Sequence, residues 1–287
     1  MTDGSQAHKT LFCRTFIETH RRFEPAELPW PVLDSASIDR LRSIPFWSVA
    51  LAAERNAGQM VTAFAETLTD PLIREALAVQ GVEETRHARL LATMLDHYGV
   101  EVPERPAPPV VANERAFLDF GYEECIDSFL GFGIFGLARQ VQMFVPTLTD
   151  IFEIVLIEEA RHVTFFVNWI AYERIRRGRG AFAFQAISTA LGYVRAVKRI
   201  VTTFAPGAKN EPKTQGVGFS AEGAFALFDD ITWRSFLRSC VTENDRHMSA
   251  MPPELLRPTV LPTMARAALA IPSIGMRRPA TTSSPAA

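Results

Sequence analysis

No two cysteines of this chain lie close together: Cys13, Cys125 and Cys240 are far apart and odd in number. That spacing excludes a disulfide framework and a Cys-x-x-Cys metal knuckle, and it suits a reducing cytoplasm. Long hydrophobic runs are missing too. Nothing approaches the roughly 18 uncharged apolar residues that a membrane-spanning helix needs. The opening stretch mixes Asp3, His8, Lys9, Arg14 and Glu18 with apolar residues, so it carries no signal-peptide core. Neither sign of charge dominates: 30 Lys and Arg stand against 32 Asp and Glu, a net charge of -2. The electrostatic reason to expect nucleic acid or an anionic membrane as partner is therefore absent. Convincing strand patterns are also lacking, and the expected fold class is all-α.

What is present is helical periodicity in a chain of 287 residues, 47% of them apolar. A short helix is expected around Leu11–Arg22, then an extended, proline-broken segment over Pro25–Pro31. Apolar residues at spacings of three and four predict a long helix from near Pro45 to Leu68. Asp70-Pro71 is a cap followed by proline at the first helical position, so the next helix starts there and stops at Gly99. The turn between them is tight, which makes the two helices antiparallel neighbours. Val100–Ala112, with four prolines, reads as a crossover long enough to run the length of a bundle. Asn113 caps a third long helix reaching about Met143, and a fourth covers roughly Asp150–Arg176. Two further helices are expected over Ala181–Phe204 and Ser220–Met248, with a loop over Pro206–Gly218. After Pro252-Pro253 at most one short helix (Thr263–Ala270) precedes a disordered end, Arg277–Ala287. The domain plan is an N-terminal extension (1–44), one helical domain (45–250, with its core bundle at 45–177 and additional helices at 181–250), and a tail (251–287).

A motif repeats inside this pattern. Glu83-Glu84-Thr85-Arg86-His87 recurs as Glu158-Glu159-Ala160-Arg161-His162, and both copies contain Glu-x-x-His. Residues i and i+3 share one helix face, so each copy aims a carboxylate and an imidazole at one point. Both copies sit in apolar stripes, where an unpaired Glu is rarely buried. Each hairpin also offers an inward acid upstream. In the first this is Glu54. In the second it is Glu124, with Asp127 one turn later as an alternative and Glu123 on a neighbouring face as a third choice. Four carboxylates and two imidazoles suit iron or manganese, and four negative charges against two divalent cations give a neutral cluster.

Glu54, Glu84-x-x-His87, Glu124 and Glu159-x-x-His162 resemble the six-ligand pattern of the ferritin-like di-iron carboxylate proteins. That superfamily includes rubrerythrins, the ribonucleotide reductase small subunit and bacterial multicomponent monooxygenases. The resemblance covers roughly Pro45–Arg176. It implies a ferritin-like four-helix bundle with one long crossover, two iron ions (or an iron–manganese pair), and activation of dioxygen or peroxide. It further implies that Glu83 and Glu158 hydrogen-bond the opposite hairpin's histidine, where the bland reading leaves them as solvated acids.

Other residues receive plainer expectations. Arg86 and Arg161 read as surface ion-pair residues, His247 as a cap or surface residue, and His8, His20 and His97 as unremarkable. Tyr122 points away from its neighbour Glu124. The chain has 21 phenylalanines. On the third long helix Phe129, Phe132 and Phe135 interleave with Gly131, Gly133 and Gly136. Glycines inside a helix cost about 1 kcal/mol each relative to alanine, so something must approach closely there. An apolar pocket for a small-molecule substrate, a tight helix–helix contact and a partner subunit, as in a homodimer, all remain open. The expected function is a di-iron oxidase or oxygenase acting on a small, largely apolar substrate with O2 and an external electron donor. The extra C-terminal helices are expected to help enclose its pocket. The alternative is a ferroxidase or rubrerythrin-type iron- or peroxide-handling protein, although the paired Cys-x-x-Cys motifs of a rubrerythrin are missing.

Overall fold

A computed structural model describes residues 2–106, 109–204 and 231–271, with the side chains of 202–204 left out. The described residues are all-helical and contain no strand. The helices are α1 (Gln6–Glu18), α2 (Ser35–Ser43), α3 (Trp47–Glu66), α4 (Pro71–His97), α5 (Glu114–Gln140), α6 (Pro146–Arg176), α7 (Phe182–Phe204), α8 (Trp233–Ser249) and α9 (Val260–Ala270).

The long helices begin and end where local chemistry dictates. Asp70 accepts hydrogen bonds from the Leu72 and Ile73 amides, and Pro71 opens α4. Asn113 accepts from the Ala116 amide at the start of α5. Gly99 and Gly178 take positive φ just past α4 and α6, the left-handed turn that ends a helix most cheaply with glycine. Several boundaries differ from expectation. α5 stops at Gln140, and Gln142 adopts a φ of 52° in the short link to α6. α6 then starts at Pro146, which occupies the first helical position. The first helix runs over Gln6–Glu18 because Ser5 caps it through the His8 amide, upstream of the apolar run that suggested Leu11–Arg22. α2, capped by Asp34, is too short to show a period in the sequence. The expected helix from Ser220 is seen from Trp233 onward. Its first residues, the 206–218 loop and the 277–287 tail lie outside the described residues.

α3 and α4 form an antiparallel hairpin with reciprocal close contacts. A Cβ on Gly58 would sit 2.5 Å from Thr85 Oγ1 and 3.0 Å from the Thr85 amide nitrogen. Gly81 faces Thr62 in the same way, its Cβ 3.1 Å from the Thr62 amide nitrogen. These glycines let the two backbones approach just where the acids of both helices must share one space.

α5 packs on α6, and α1 lies across α4 and α6. His8 Nε2 meets Asn168 Oδ1 at 2.8 Å and Lys9 pairs with Asp70 at 2.5 Å, which fixes α1 in place. Two apolar clusters form the core beside the hairpins. One joins Met60, Val61, Phe64 and Leu77 to Phe117, Phe165, Phe166 and Trp169. The other joins Leu41, Trp47 and Leu51 to Ala88, Met94 and Phe152. On α3 and α4, Glu54, Glu84 and His87 fall in the gap between them.

α7 and α8 pack on the outside of α5. Gly133 and Gly136 face α8, where an added Cβ on Gly133 would lie 3.0 Å from the Cys240 amide nitrogen and one on Gly136 would lie 2.7 Å from Ser239 Oγ. Of the three glycines interleaved with phenylalanine, Gly133 and Gly136 therefore serve tight helix–helix contact. No described helix is long and apolar enough to cross a membrane.

Candidate metal centre

Four helices each bring acid to one place: Glu54 from α3, Glu84 and His87 from α4, Glu124 from α5, and Glu159 and His162 from α6. Their ligand atoms form two overlapping groups, Glu54–Glu84–His87–Glu159 and Glu84–Glu124–Glu159–His162, each spanning no more than 4.8 Å. Glu84 and Glu159 belong to both groups and stand between the two imidazoles. His87 Nδ1 is 3.1 Å from Glu159 and 3.8 Å from Glu84. His162 Nδ1 is 3.1 Å from Glu84 and 3.7 Å from Glu159. Glu54 approaches His87 Nδ1 at 3.5 Å, and the two ring centroids are 5.6 Å apart.

The Nδ1 contacts are poorly aligned as hydrogen bonds, and both Nδ1 atoms are buried without a hydrogen-bond partner. Buried ring nitrogens are seldom left that way. Their outer nitrogens are firmly tied. His87 Nε2 meets Glu158 Oε2 at 2.8 Å and His162 Nε2 meets Glu83 Oε2 at 2.9 Å. Each supporting acid belongs to the opposite hairpin, and both are fully buried. With Nε2–H donating outward, each Nδ1 can turn a lone pair inward. This is the arrangement in which a carboxylate fixes the tautomer of a metal-binding histidine. The cluster can hold a metal ion, and both orphaned nitrogens would be satisfied by one.

Electrostatics describe the same cluster from the side of its protons. Burial pushes Glu54 up to about 7, aided by Glu159 and Glu84. Burial and the neighbouring Glu159 and Glu84 drive Glu124 well above the carboxylate range. Burial would raise Glu159 as well, but His162 and His87 hold it well below its ordinary value. For His87 burial opposes the charge, yet Glu158, Glu159 and Glu54 outweigh it and raise the ring well above 6.5. Glu84, Glu159 and Glu83 do the same for His162. Without metal, protons neutralise the cluster.

Arg86 and Arg161 are not surface residues. Both are buried: Arg86 Nη2 donates to Glu158 at 2.6 Å and Arg161 Nη1 donates to Glu83 at 2.7 Å. The N-terminal segment covers them. Arg86 also donates to the Arg21 carbonyl and stacks over Phe23, while Arg161 donates to Thr19 and the Phe16 carbonyl and stacks over Phe16. His20 is likewise part of this layer, its Nδ1 2.6 Å from Glu83 Oε1. Nothing in the sequence near Glu83 signals a contact from so far upstream.

His247 is buried rather than superficial. It stacks on Phe132 with centroids 4.4 Å apart, and its Nε2 is 3.2 Å from Glu153, away from the cluster. Tyr122 accepts from Arg174 at 2.7 Å and belongs to the packing between α5 and α7. On α5 it is Glu124, and not Asp127, that joins the acid cluster. Glu123 turns to Arg199 at 2.5 Å.

Beside the cluster lies a cavity of about 240 Å³. Trp47, Leu91, Phe135 and Phe152 give it an apolar wall, and Glu54, Glu84, His87, Glu124 and Glu159 open onto it. Gly131 lines it, so the third helix glycine serves the pocket. Its described lining comes from α3, α4, α5 and α6. Among the described residues α7 to α9 supply no lining residue, and α7 and α8 pack on α5; the first part of the helix expected from Ser220 lies outside the described residues.

No protein-family model matches the chain, and neither a curated protein sequence nor a solved structure matches it.

Proposed function

We propose that the protein is a non-haem di-iron oxidase or oxygenase, built on a ferritin-like four-helix bundle of α3 to α6, that oxidises a small, largely apolar organic molecule. The observation that carries this reading is the pair of buried, orphaned Nδ1 atoms facing four carboxylates on the wall of an apolar cavity. Glu84 and Glu159, which belong to both groups of ligand atoms, would help hold both ions. Glu54 with His87 would complete one position, and Glu124 with His162 the other. Two irons, or an iron–manganese pair, supply reduction of O2 when bound. The residues do the rest. Glu158 and Glu83 hold the Nε2 protons of His87 and His162 and so keep each Nδ1 free to coordinate. Trp47, Phe135 and Phe152 keep water from the reacting molecule and bind its apolar part. Electrons come from a separate donor protein.

The cavity favours this reading over ferroxidase or peroxide handling, since neither of those requires an apolar chamber beside the metals. Reconstitution with Fe(II) under argon, followed by elemental analysis, is the test. About two irons per chain are expected, and His87→Ala and His162→Ala should each lose most of them. Below about 0.2 metal per chain the metal reading fails. Continuous oxidation of many equivalents of Fe(II), unaffected by any organic compound, would instead favour iron handling.

A further inference from the structure

We infer that the substrate carries an amine, and that Asp127 is the residue that binds it. This deepens the oxygenase reading and rests on it. Asp127 lies on α5 one turn beyond Glu124 and one turn before Gly131, and all three line the cavity. It is half-buried because it faces the chamber, and among the described residues it has neither a hydrogen-bond partner nor a cation. Burial, then the negative Glu123, Glu159 and Glu54, push its carboxyl up to about 8. Buried acids are normally paired.

The charge balance of the cavity points to the missing partner. Two divalent ions would neutralise Glu54, Glu84, Glu124 and Glu159. Arg199 answers Glu123. Among the described residues Asp127 remains as the one acid of the chamber with no cation beside it, and an ammonium there would draw its carboxyl into the ionised form. No described Lys or Arg lines the chamber, so away from the metals an anionic substrate would find nothing to pair with, whereas a single ammonium would complete the balance. The helix rise of about 1.5 Å per residue puts Asp127 and Phe135 about 12 Å apart along α5. An amphipathic amine lying along that wall would set its nitrogen at Asp127, beside the metals, and its apolar body against Phe135, Phe152 and Trp47.

The test is calorimetric binding of three molecules with the same apolar body, phenethylamine, phenethyl alcohol and phenylacetate, to the iron-loaded full chain under argon. Phenethylamine should bind at least about ten-fold tighter than the alcohol, the scale of one charged hydrogen bond, and phenylacetate weakest. Asp127→Asn should erase the preference for the amine while leaving the alcohol's affinity and the iron content unchanged. Asp127→Ser, which removes the charge with a shorter side chain, should do likewise. The inference is overturned if phenylacetate binds as well as the amine, if none of the three binds, or if Asp127→Asn leaves amine binding intact. It is also overturned if Asp127→Asn removes iron, which would make Asp127 a metal ligand. Iron content on the same samples separates the two readings. Two irons with no amine preference sinks this inference alone, and no iron with an Asp127-dependent preference sinks the dinuclear one.

Discussion

Glu83 of α4 receives the Nε2 of His162 at 2.9 Å, across the interface between the two hairpins, and Glu158 of α6 returns the contact to His87 at 2.8 Å. Each acid thus orients a histidine it is not linked to. Replacing either by glutamine should keep the fold but weaken metal binding about 10–100-fold, measured by competition with a chelator. Unchanged affinity in both variants would mean that these contacts do not tune the site.

Acid should undo the same contact. Burial opposes ionisation of Glu83, but His162 and Arg161 hold its carboxyl at about 2. A depressed acid contributes stability that is present above its ordinary value of 4.5 and is lost as pH falls from there toward 2. Acid unfolding of wild type should steepen in that window, and Glu83→Gln should flatten it. Circular dichroism against pH decides this.

Metal uptake should release protons. In the metal-free cluster His87 and His162 are raised well above 6.5, Glu124 well above the carboxylate range and Glu54 to about 7. Ligation requires all four to lose their protons. The raised histidines stabilise the metal-free fold below pH 6.5, and that contribution is lost as pH rises through their folded values. Metal affinity should run the opposite way, falling as pH drops. Calorimetry in two buffers of different ionisation heat should find about two to four protons released per filled site, and none released would contradict the protonated cluster.

Gly133→Ala should destabilise the chain by about 1–3 kcal/mol, the usual cost of overpacking, because its Cβ would press on the Cys240 backbone of α8 at 3.0 Å and 3.1 Å. Thermal melts should show it, and metal content at low temperature should hold. An unchanged melting temperature would mean that α8 shifts freely on α5.

The three cysteines should be silent. Cys13, Cys125 and Cys240 are free and buried, and burial pushes each thiol up to about 12. At pH 8 a thiol reagent should label none of them in the native protein within minutes and all three in denaturant.

How much of this was legible in the sequence follows from the range of the interactions involved. The spacing within Glu84-x-x-His87 and Glu159-x-x-His162 is local, and an i, i+3 pair on a long helix has one outcome. Glu54 and Glu124 could be read from their apolar stripes, although choosing Glu124 over Asp127 needed the rotation of α5 against α6. Arg86, Arg161 and His20 differ from expectation for one reason. Their setting is made by residues 16–23, far away in sequence, and arginine on a helix otherwise belongs in water. His247 failed likewise, since Phe132 and Glu153 come from two other helices. The glycines of α5 show the limit most clearly. Their cost announced a close approach, but only the packed structure divides them, with Gly131 lining the cavity and Gly133 and Gly136 against α8.

The crossing of Glu83 and Glu158 between hairpins has one more consequence. What the sequence repeats is not a site but half of one, and neither half is self-sufficient. A fragment ending after α4 keeps Glu54, Glu84 and His87 yet leaves His87 without its acid and Glu83 without the ring and arginine that neutralise it. The repeat therefore works as a lock whose key is its own second copy, and the two hairpins must be present together before either can grip an ion.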